Sequence, residues 1–428
     1  MGISKLANDM TDQIYKTGTP ITEDIEAYIE SNQDKSLLRF ITCGSVNDGK
    51  STLLGRLLYD SNILYQDQLT RLEADSIKFG TQGQNIDFAL LVDGLSAERD
   101  QGITIDVAYR FFATQKRKFI VADTPGHEQY TRNMVTGAST AQLAVIVIDA
   151  RKGILEQPRR HSYLCYLLGI KNIILAVNKM DLVSYDQGIF EAVVADYAEF
   201  ATSVGISEHA AIPISAFRGD NIVAYSDRMA WYGGPPLLAH LETIDLDRFL
   251  ATPKDFRMPV QLVNRALPEF YGLSGRIASG TIEPGDEVRI LPSGRISEVK
   301  RIVTFDGDLD KAIAGQSITL TLNEEVDCSR GQIITAAAAP LEVADQFEIT
   351  LIWMDERALI PGRSYHLKIG TQTVSALVSE PKYKLNINTL DHMATKTLEL
   401  NEIGVTNLTT EKSIPFAPFA ENSTLGGF

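Results

Sequence analysis

Gly44-Ser45-Val46-Asn47-Asp48-Gly49-Lys50-Ser51 is the stretch from which this chain is read. It fits G-x-x-x-x-G-K-[ST], the pattern of a loop that cradles phosphate. The apolar run Leu37-Leu38-Arg39-Phe40-Ile41-Thr42-Cys43 leads into it and reads as a buried strand. Leu53, Leu54, Leu57 and Leu58 follow at helical spacing, so a helix starts where the loop ends. A glycine-rich turn of no function would satisfy the letters alone; strand, loop and helix in that order are what the chemistry needs. Glycines let the backbone close on phosphate oxygens without a Cβ in the way. The helix N-terminus offers unpaired N–H groups and a positive dipole end. Lys50 adds a point charge for the β- and γ-phosphates, and the Ser51 hydroxyl can bind Mg²⁺.

Three further elements follow in order. Asp123-Thr124-Pro125-Gly126-His127 comes after the apolar run Phe119-Ile120-Val121-Ala122. A D-x-x-G element supplies an acid near Mg²⁺ and a glycine N–H for the γ-phosphate, and His127 stands where a side chain can orient attacking water. Gly102-Ile103-Thr104-Ile105-Asp106 lies between, and Thr104 can complete the metal's coordination when the γ-phosphate is present. Asn178-Lys179-Met180-Asp181 ends another apolar run. The Asp181 carboxylate can accept both N1–H and the exocyclic amine of guanine, which adenine cannot supply. Asn178 can bond the base edge, the Lys179 stem can cover the ring, and Ser215-Ala216-Phe217 offers a backbone N–H to guanine O6. The pattern therefore predicts GTP, with ATP rejected because it would leave a buried carboxylate unpaired.

Bulk properties set the frame. At 428 residues the chain has room for about three domains. Hydrophobic residues make up 44%, enough for each to bury a core. A net charge of −15 gives no basic surface on average and argues against non-specific nucleic-acid binding. Cys43, Cys165 and Cys328 are odd in number and far apart, with no zinc or disulfide spacing, which fits a reducing cytosol. No apolar run reaches signal-peptide or transmembrane form, so a cytoplasmic protein with no membrane contact is expected.

Residues 1–36 read as a polar extension with a short amphipathic helix at Ile21, Ile25 and Ile29. Residues 37–245 alternate apolar runs with helical stretches, the mark of a parallel α/β sheet. The runs end in Asp123, Asp149, Asn178 and Ser215, where open α/β sheets bind ligands. Leu246 to Pro259 reads as a linker. Residues 246–340 then show short strands between turns such as Pro284-Gly285-Asp286 and Pro292-Ser293-Gly294, and Gly275–Ile282 alternates like barrel strands. Ala336-Ala337-Ala338-Ala339-Pro340 separates this region from residues 341–428, where Phe347 to Trp353 opens a second strand-rich unit. The expected fold is an α/β P-loop GTPase domain followed by two small all-β barrel domains.

In this order the motifs resemble the translation-factor class of GTPases, such as elongation factor Tu. More narrowly, the chain resembles the large GTPase subunits of bacterial sulfate adenylyltransferases. The closer likeness rests on Lys35 through Val46, Gly55-Arg56-Leu57-Leu58-Tyr59-Asp60 and Asp123 through Met134. Downstream it rests on Leu291 through Gly294, Val299 through Asp308, Trp353-Met354-Asp355-Glu356 and Pro361 through Tyr365. The resemblance implies cofactors GTP and Mg²⁺. It implies that Gly44, Asp48, Gly49, Lys50, Ser51 and Thr52 hold phosphates and metal, with Ser51 and Thr104 as metal ligands and Asp123 behind them. Gly126 would contact the γ-phosphate and His127 would orient water, while Asn178, Lys179, Asp181, Ser215 and Ala216 would read guanine. It also implies a smaller catalytic partner that joins ATP and sulfate into adenosine 5′-phosphosulfate and pyrophosphate, driven by GTP hydrolysis. Some relatives carry a fused adenylylsulfate kinase.

Two departures stand out. Related loops usually carry Asp where this chain has Asn47, which bears on an auxiliary cation. The family also continues past Gly427-Phe428, so the chain is expected to stop mid-strand as a piece of a longer protein. There is no S-G-G-x-D-S loop for adenylyl transfer, so the ATP chemistry belongs on the partner. The competing readings are an elongation factor delivering aminoacyl-tRNA and a GTP-timed assembly factor.

Overall fold

The computed structural model describes residues 35–61, 66–80, 85–92, 104–245, 255–265, 270–387 and 389–428. The expected N-terminal helix, Gly102, Ile103 and most of the Leu246–Pro259 linker lie outside the described residues.

The first sheet forms where the apolar runs are. In chain order its elements are β1 (Leu37–Gly44), α1 (Lys50–Asp60), α2 (Gln66–Phe79), β2 (Ala108–Ala113), β3 (Lys118–Asp123), α3 (Thr131–Ala138) and β4 (Leu143–Asp149). They are followed by α4 (Glu156–Leu167), β5 (Asn172–Asn178), α5 (Gln187–Val204), β6 (Ala210–Pro213) and α6 (Leu237–Thr243). The strand order is β2-β3-β1-β4-β5-β6, parallel except where edge strand β2 runs against β3. Every residue of β4 and of β5 is buried, as a strand covered by helices on both faces requires. Alternate residues feed two cores. Ile41, Ile146, Leu175 and Val177 point to one. Phe40, Val145, Val147 and Ile174 point to the other. Register carries β1 across β3 so that Thr42 lies beside Asp123, and β4 across β5 so that Asp149 lies beside Asn178. The polar strand ends thus meet along one rim.

From residue 255 to Phe416 the described chain is strand, turn and loop. β7 (Arg257–Asn264), β8 (Gly272–Arg276), β9 (Thr281–Ile282), β10 (Glu287–Leu291), β11 (Arg295–Thr304), β12 (Gly307–Leu309), β13 (Ala312–Ile313), β14 (Ser317–Leu322) and β15 (Ile333–Ala336) succeed one another. The pairing order β10-β15-β7-β8-β14-β11, with β11 returning to β10, closes a six-stranded barrel. Closure leaves those six strands no open edge to defend. The Gly275–Ile282 run is carried by two strands, β8 and β9, separated at Ile277–Gly280, where Gly280 takes φ +73 and brings its backbone against Asp255. Both predicted turns are present.

The last unit comprises β16 (Glu342–Ile352), β17 (Ser364–Ile369), β18 (Gln372–Val378), β19 (Tyr383–Leu385), β20 (His392–Met393), β21 (Ile403–Phe416) and α7 (Ser423–Gly426). Long β21 organises it, pairing β16 along one edge and both β18 and β19 along the other. Ile387 and Ile403 from this unit enter the same buried cluster as Ile146 and Leu175, so it packs on one face of the first sheet. The chain does not stop within a strand: β21 ends at Phe416, and Asn422 caps a final helical turn by accepting from Thr424 and Leu425 N–H. Among the described residues no helix is long and apolar enough to cross a membrane.

Candidate functional site

The phosphate loop leaves β1 and enters α1 through residues whose conformations suit it. Asn47 sits at φ 67, where a short amide side chain is tolerated, and Gly49 at φ 95 precedes the helix. A Cβ on Gly49 would stand 2.5 Å from the Asn178 amide nitrogen, so only glycine lets the loop press against β5's end. Lys50 is buried, and its Nζ donates to the carbonyls of Gly44 (3.2 Å) and Ser45 (2.8 Å). Burial lowers its pKa, partly offset by the Asp123 and Asp48 carboxylates. Asp48 is also buried. Its Oδ2 accepts from Ser45 N–H at 2.8 Å, and burial raises its pKa against the pull of Lys50.

Three predicted residues converge beside the loop. The Ser51 and Thr104 hydroxyls are 3.2 Å apart, and Ser51 donates to Asp123 Oδ2 at 2.7 Å. Neighbouring ligands in an octahedral Mg²⁺ shell are roughly 3 Å apart, given bonds of about 2.1 Å. The two hydroxyls therefore fit as adjacent ligands, with the carboxylate behind them. Thr42 fixes that carboxylate from the other side, donating to Oδ1 at 2.7 Å. Gly126 touches the loop directly: a Cβ there would fall 2.5 Å from Lys50 Nζ and 2.6 Å from Gly44 O. His127, by contrast, is exposed. Its Nδ1 accepts from Gln129 N–H at 3.4 Å, and its ring lies 6.0 Å from that of Tyr130.

The far end of the rim is already tied together. Asn178 donates from Nδ2 to Asp48 O at 2.8 Å and accepts on Oδ1 from Ala216 N–H at 2.9 Å. Its carboxamide thus joins the phosphate loop to the Ser215–Ala216 turn, and the Ala216 N–H is turned onto it. Asp181 Oδ1 accepts from Ser215 Oγ at 2.7 Å. Lys179 takes φ 65 and stands 3.0 Å from Asp149 Oδ2, with Arg151 on the same carboxylate. Burial would raise the Asp149 carboxyl, but hydrogen bonds from Arg151 and Lys179 outweigh it and hold the pKa well below the usual range. Thr52 lies in the first turn of α1 beside Ser51.

The sequence singled out Asp149 only as a strand end and missed Thr42 and Arg151. Thr42 was legible as a polar residue inside an apolar strand; Arg151 carries no signal beyond its place after Asp149.

Comparison with known proteins agrees with this geometry. The elongation factor Tu GTP binding domain model matches residues 35–263, elongation factor Tu domain 2 matches 273–335, and the GTP-eEF1A C-terminal domain-like model matches 346–428. The chain is 52% identical over 411 residues to sulfate adenylyltransferase subunit 1 of Aeromonas hydrophila, covering 96% of this chain and 86% of that protein. It is 55% identical to the bifunctional enzyme NodQ of Rhizobium sp. (strain N33), covering 95% of this chain and 63% of that protein. It is 53% identical to the bifunctional enzyme CysN/CysC of Xylella fastidiosa, covering 95% and 65%. The chain therefore spans less than two thirds of the bifunctional relatives. The chain belongs to the sulfate adenylyltransferase subunit 1 family of elongation-factor-Tu-type GTP-binding proteins.

Proposed function

We propose that this chain hydrolyses GTP as the large subunit of a sulfate adenylyltransferase and thereby drives formation of adenosine 5′-phosphosulfate and pyrophosphate from ATP and sulfate on a smaller partner subunit. The observation that carries the reading is the single rim on which Lys50, Ser51, Thr104, Asp123 and Gly126 meet Asn178, Asp181 and Ser215. One end suits a polyphosphate and the other a guanine.

In this reading Gly44, Asp48, Gly49, Lys50 and Thr52 form the phosphate cradle. Its backbone N–H groups and the Lys50 cation face charge that builds on the β- and γ-oxygens. Ser51 and Thr104 hold Mg²⁺, and Asp123 orients the Ser51 hydroxyl as it does in the structure. Bound there, Mg²⁺ would supply neutralisation of the negative charge on the β- and γ-phosphates. Gly126 offers its N–H to the γ-phosphate, and His127 swings from its exposed turn to align the water. Asp181 pairs the two guanine donors, Lys179 covers the base, and Asn178, Ser215 and Ala216 hold the pocket's shape. A polar, basic-poor chain with three free cysteines suits the cytoplasm. A kinase activity fused to or associated with the same complex is in keeping with the two bifunctional relatives.

The test is steady-state GTP hydrolysis with and without the partner, ATP and sulfate. GTPases of this type gain about 10³–10⁵-fold when a partner completes the site. A large rise requiring all three additions is expected, with GTP reciprocally tightening the partner's substrates. A flat response would reject the coupling.

A further inference from the structure

A buried histidine lies behind the phosphate loop, and none of the roles above employs it. His161, in α4, is 0% exposed. Its Nδ1 accepts from Gly44 N–H at 3.2 Å. An accepting Nδ1 requires the neutral ring with its proton on Nε2. Burial, with the Lys50 and Arg160 cations nearby, keeps it neutral by pushing its pKa down to about 3. Nε2 finds no partner among the described residues, so the ring's polar work is done at Nδ1 alone.

Gly44 has both of its main-chain polar groups engaged. Its N–H goes to His161 and its carbonyl receives Lys50 Nζ. Most N–H groups of such a loop turn outward to phosphate; this one turns inward, onto a helix that packs beneath the strand. We propose that His161 is a positioning residue for phosphate binding: as a neutral acceptor it fixes Gly44, and through the Gly44 carbonyl it sets the place of the Lys50 ammonium. The proposal rests on the reading of this loop as the GTP-binding one. Without the acceptor, a buried N–H is orphaned, and the loop must shift to hydrate it.

Side-chain geometry gives a sharp test. In asparagine, Oδ1 is bonded to Cγ just as Nδ1 is in histidine, so His161→Asn keeps an acceptor in place. His161→Gln moves the amide one carbon further out, and His161→Leu fills the space with no acceptor. GTP and GDP affinity are measured by calorimetry on the full chain, with hydrolysis at saturating GTP alongside. His161→Leu is expected to weaken both nucleotides about tenfold, and His161→Asn to stay within about threefold of the wild type. A simple packing role predicts the reverse order, since leucine fills an apolar site better. Equal binding by Leu and wild type, or equal losses in Leu and Asn, would overturn the proposal. Should the Leu variant fail to fold, Asn against Gln decides: tight Asn with weak Gln supports it, and parity overturns it. These outcomes all presuppose a wild type that binds GTP; a wild type that binds none would remove the GTP reading and this proposal together.

Discussion

The two ends of the nucleotide rim are built differently. At the base end, polar groups satisfy one another before any ligand arrives: Asn178 bridges Asp48 and Ala216, Ser215 donates to Asp181, and Lys179 and Arg151 share Asp149. At the phosphate end, buried groups are left wanting. Ser45 Oγ and Asp48 Oδ1 are buried with no partner among the described residues, and Lys50 donates to the carbonyls of Gly44 and Ser45. In the proposed reading the base end is a preformed mould that would select by shape and donor pattern. The phosphate end instead gathers a buried cation and a hydroxyl, Lys50 on the loop's own carbonyls and Ser51 on Asp123. Specificity should therefore fail at one end and turnover at the other.

Breaking the base end should produce the largest change. Asp181→Asn exchanges an acceptor for a donor opposite the guanine amine. The preference for GTP over xanthosine triphosphate is expected to fall by about 10⁴-fold, as for sites that reject an unpaired analogue. Competition binding with the two nucleotides measures it, and an unmoved GTP affinity would show that Asp181 does not face the base. At the phosphate end, His127→Ala should lower kcat about 10²-fold while GTP affinity stays near the wild type. Equal turnover would leave His127 as the turn cap it is in the structure.

The smallest effect lies behind the loop. His161 has a pKa of about 3 in the folded chain against an ordinary 6.5. Between those values the unfolded chain holds one more proton, so protonation favours unfolding and stability falls as pH falls from 6.5 towards 3. From pH 7 to pH 5 the loss attributable to this ring is up to ~2 kcal/mol. Urea denaturation at both pH values, wild type against His161→Asn, isolates it from other titrating groups. The same loss in both proteins would mean the ring is not the group responsible.

Much of this was written in the sequence because the chemistry is local. A strand that ends in glycines, Lys50 and Ser51, and others that end at Asp123 and Asn178, announce their function by adjacency. Contacts made across the fold left no such mark. Gly44 and His161 are 117 residues apart, and nothing in the run Arg159-Arg160-His161-Ser162 says which ring nitrogen meets which amide. The base end holds a further contact of this kind. Asn178 and the Ala216 N–H were read as groups facing guanine, and in the structure they bond to each other, because the turn after β6 folds back onto the end of β5. Nor did Ile387 and Ile403 betray that they complete a core begun by β4 and β5, since apolar residues in a strand-rich unit look the same whichever side they bury.

Asn401, at φ 64 in the turn before β21, donates from its amide to the carbonyl of Glu128, the residue next to His127. Arg160 clasps the carboxylate of that same Glu128. The turn that carries His127 is therefore gripped from two directions, one of them a unit more than 270 residues along the chain. The last unit thus reaches the backbone beside His127 directly, so in the proposed reading a partner seated on that unit's exterior would act on this turn without entering the nucleotide rim.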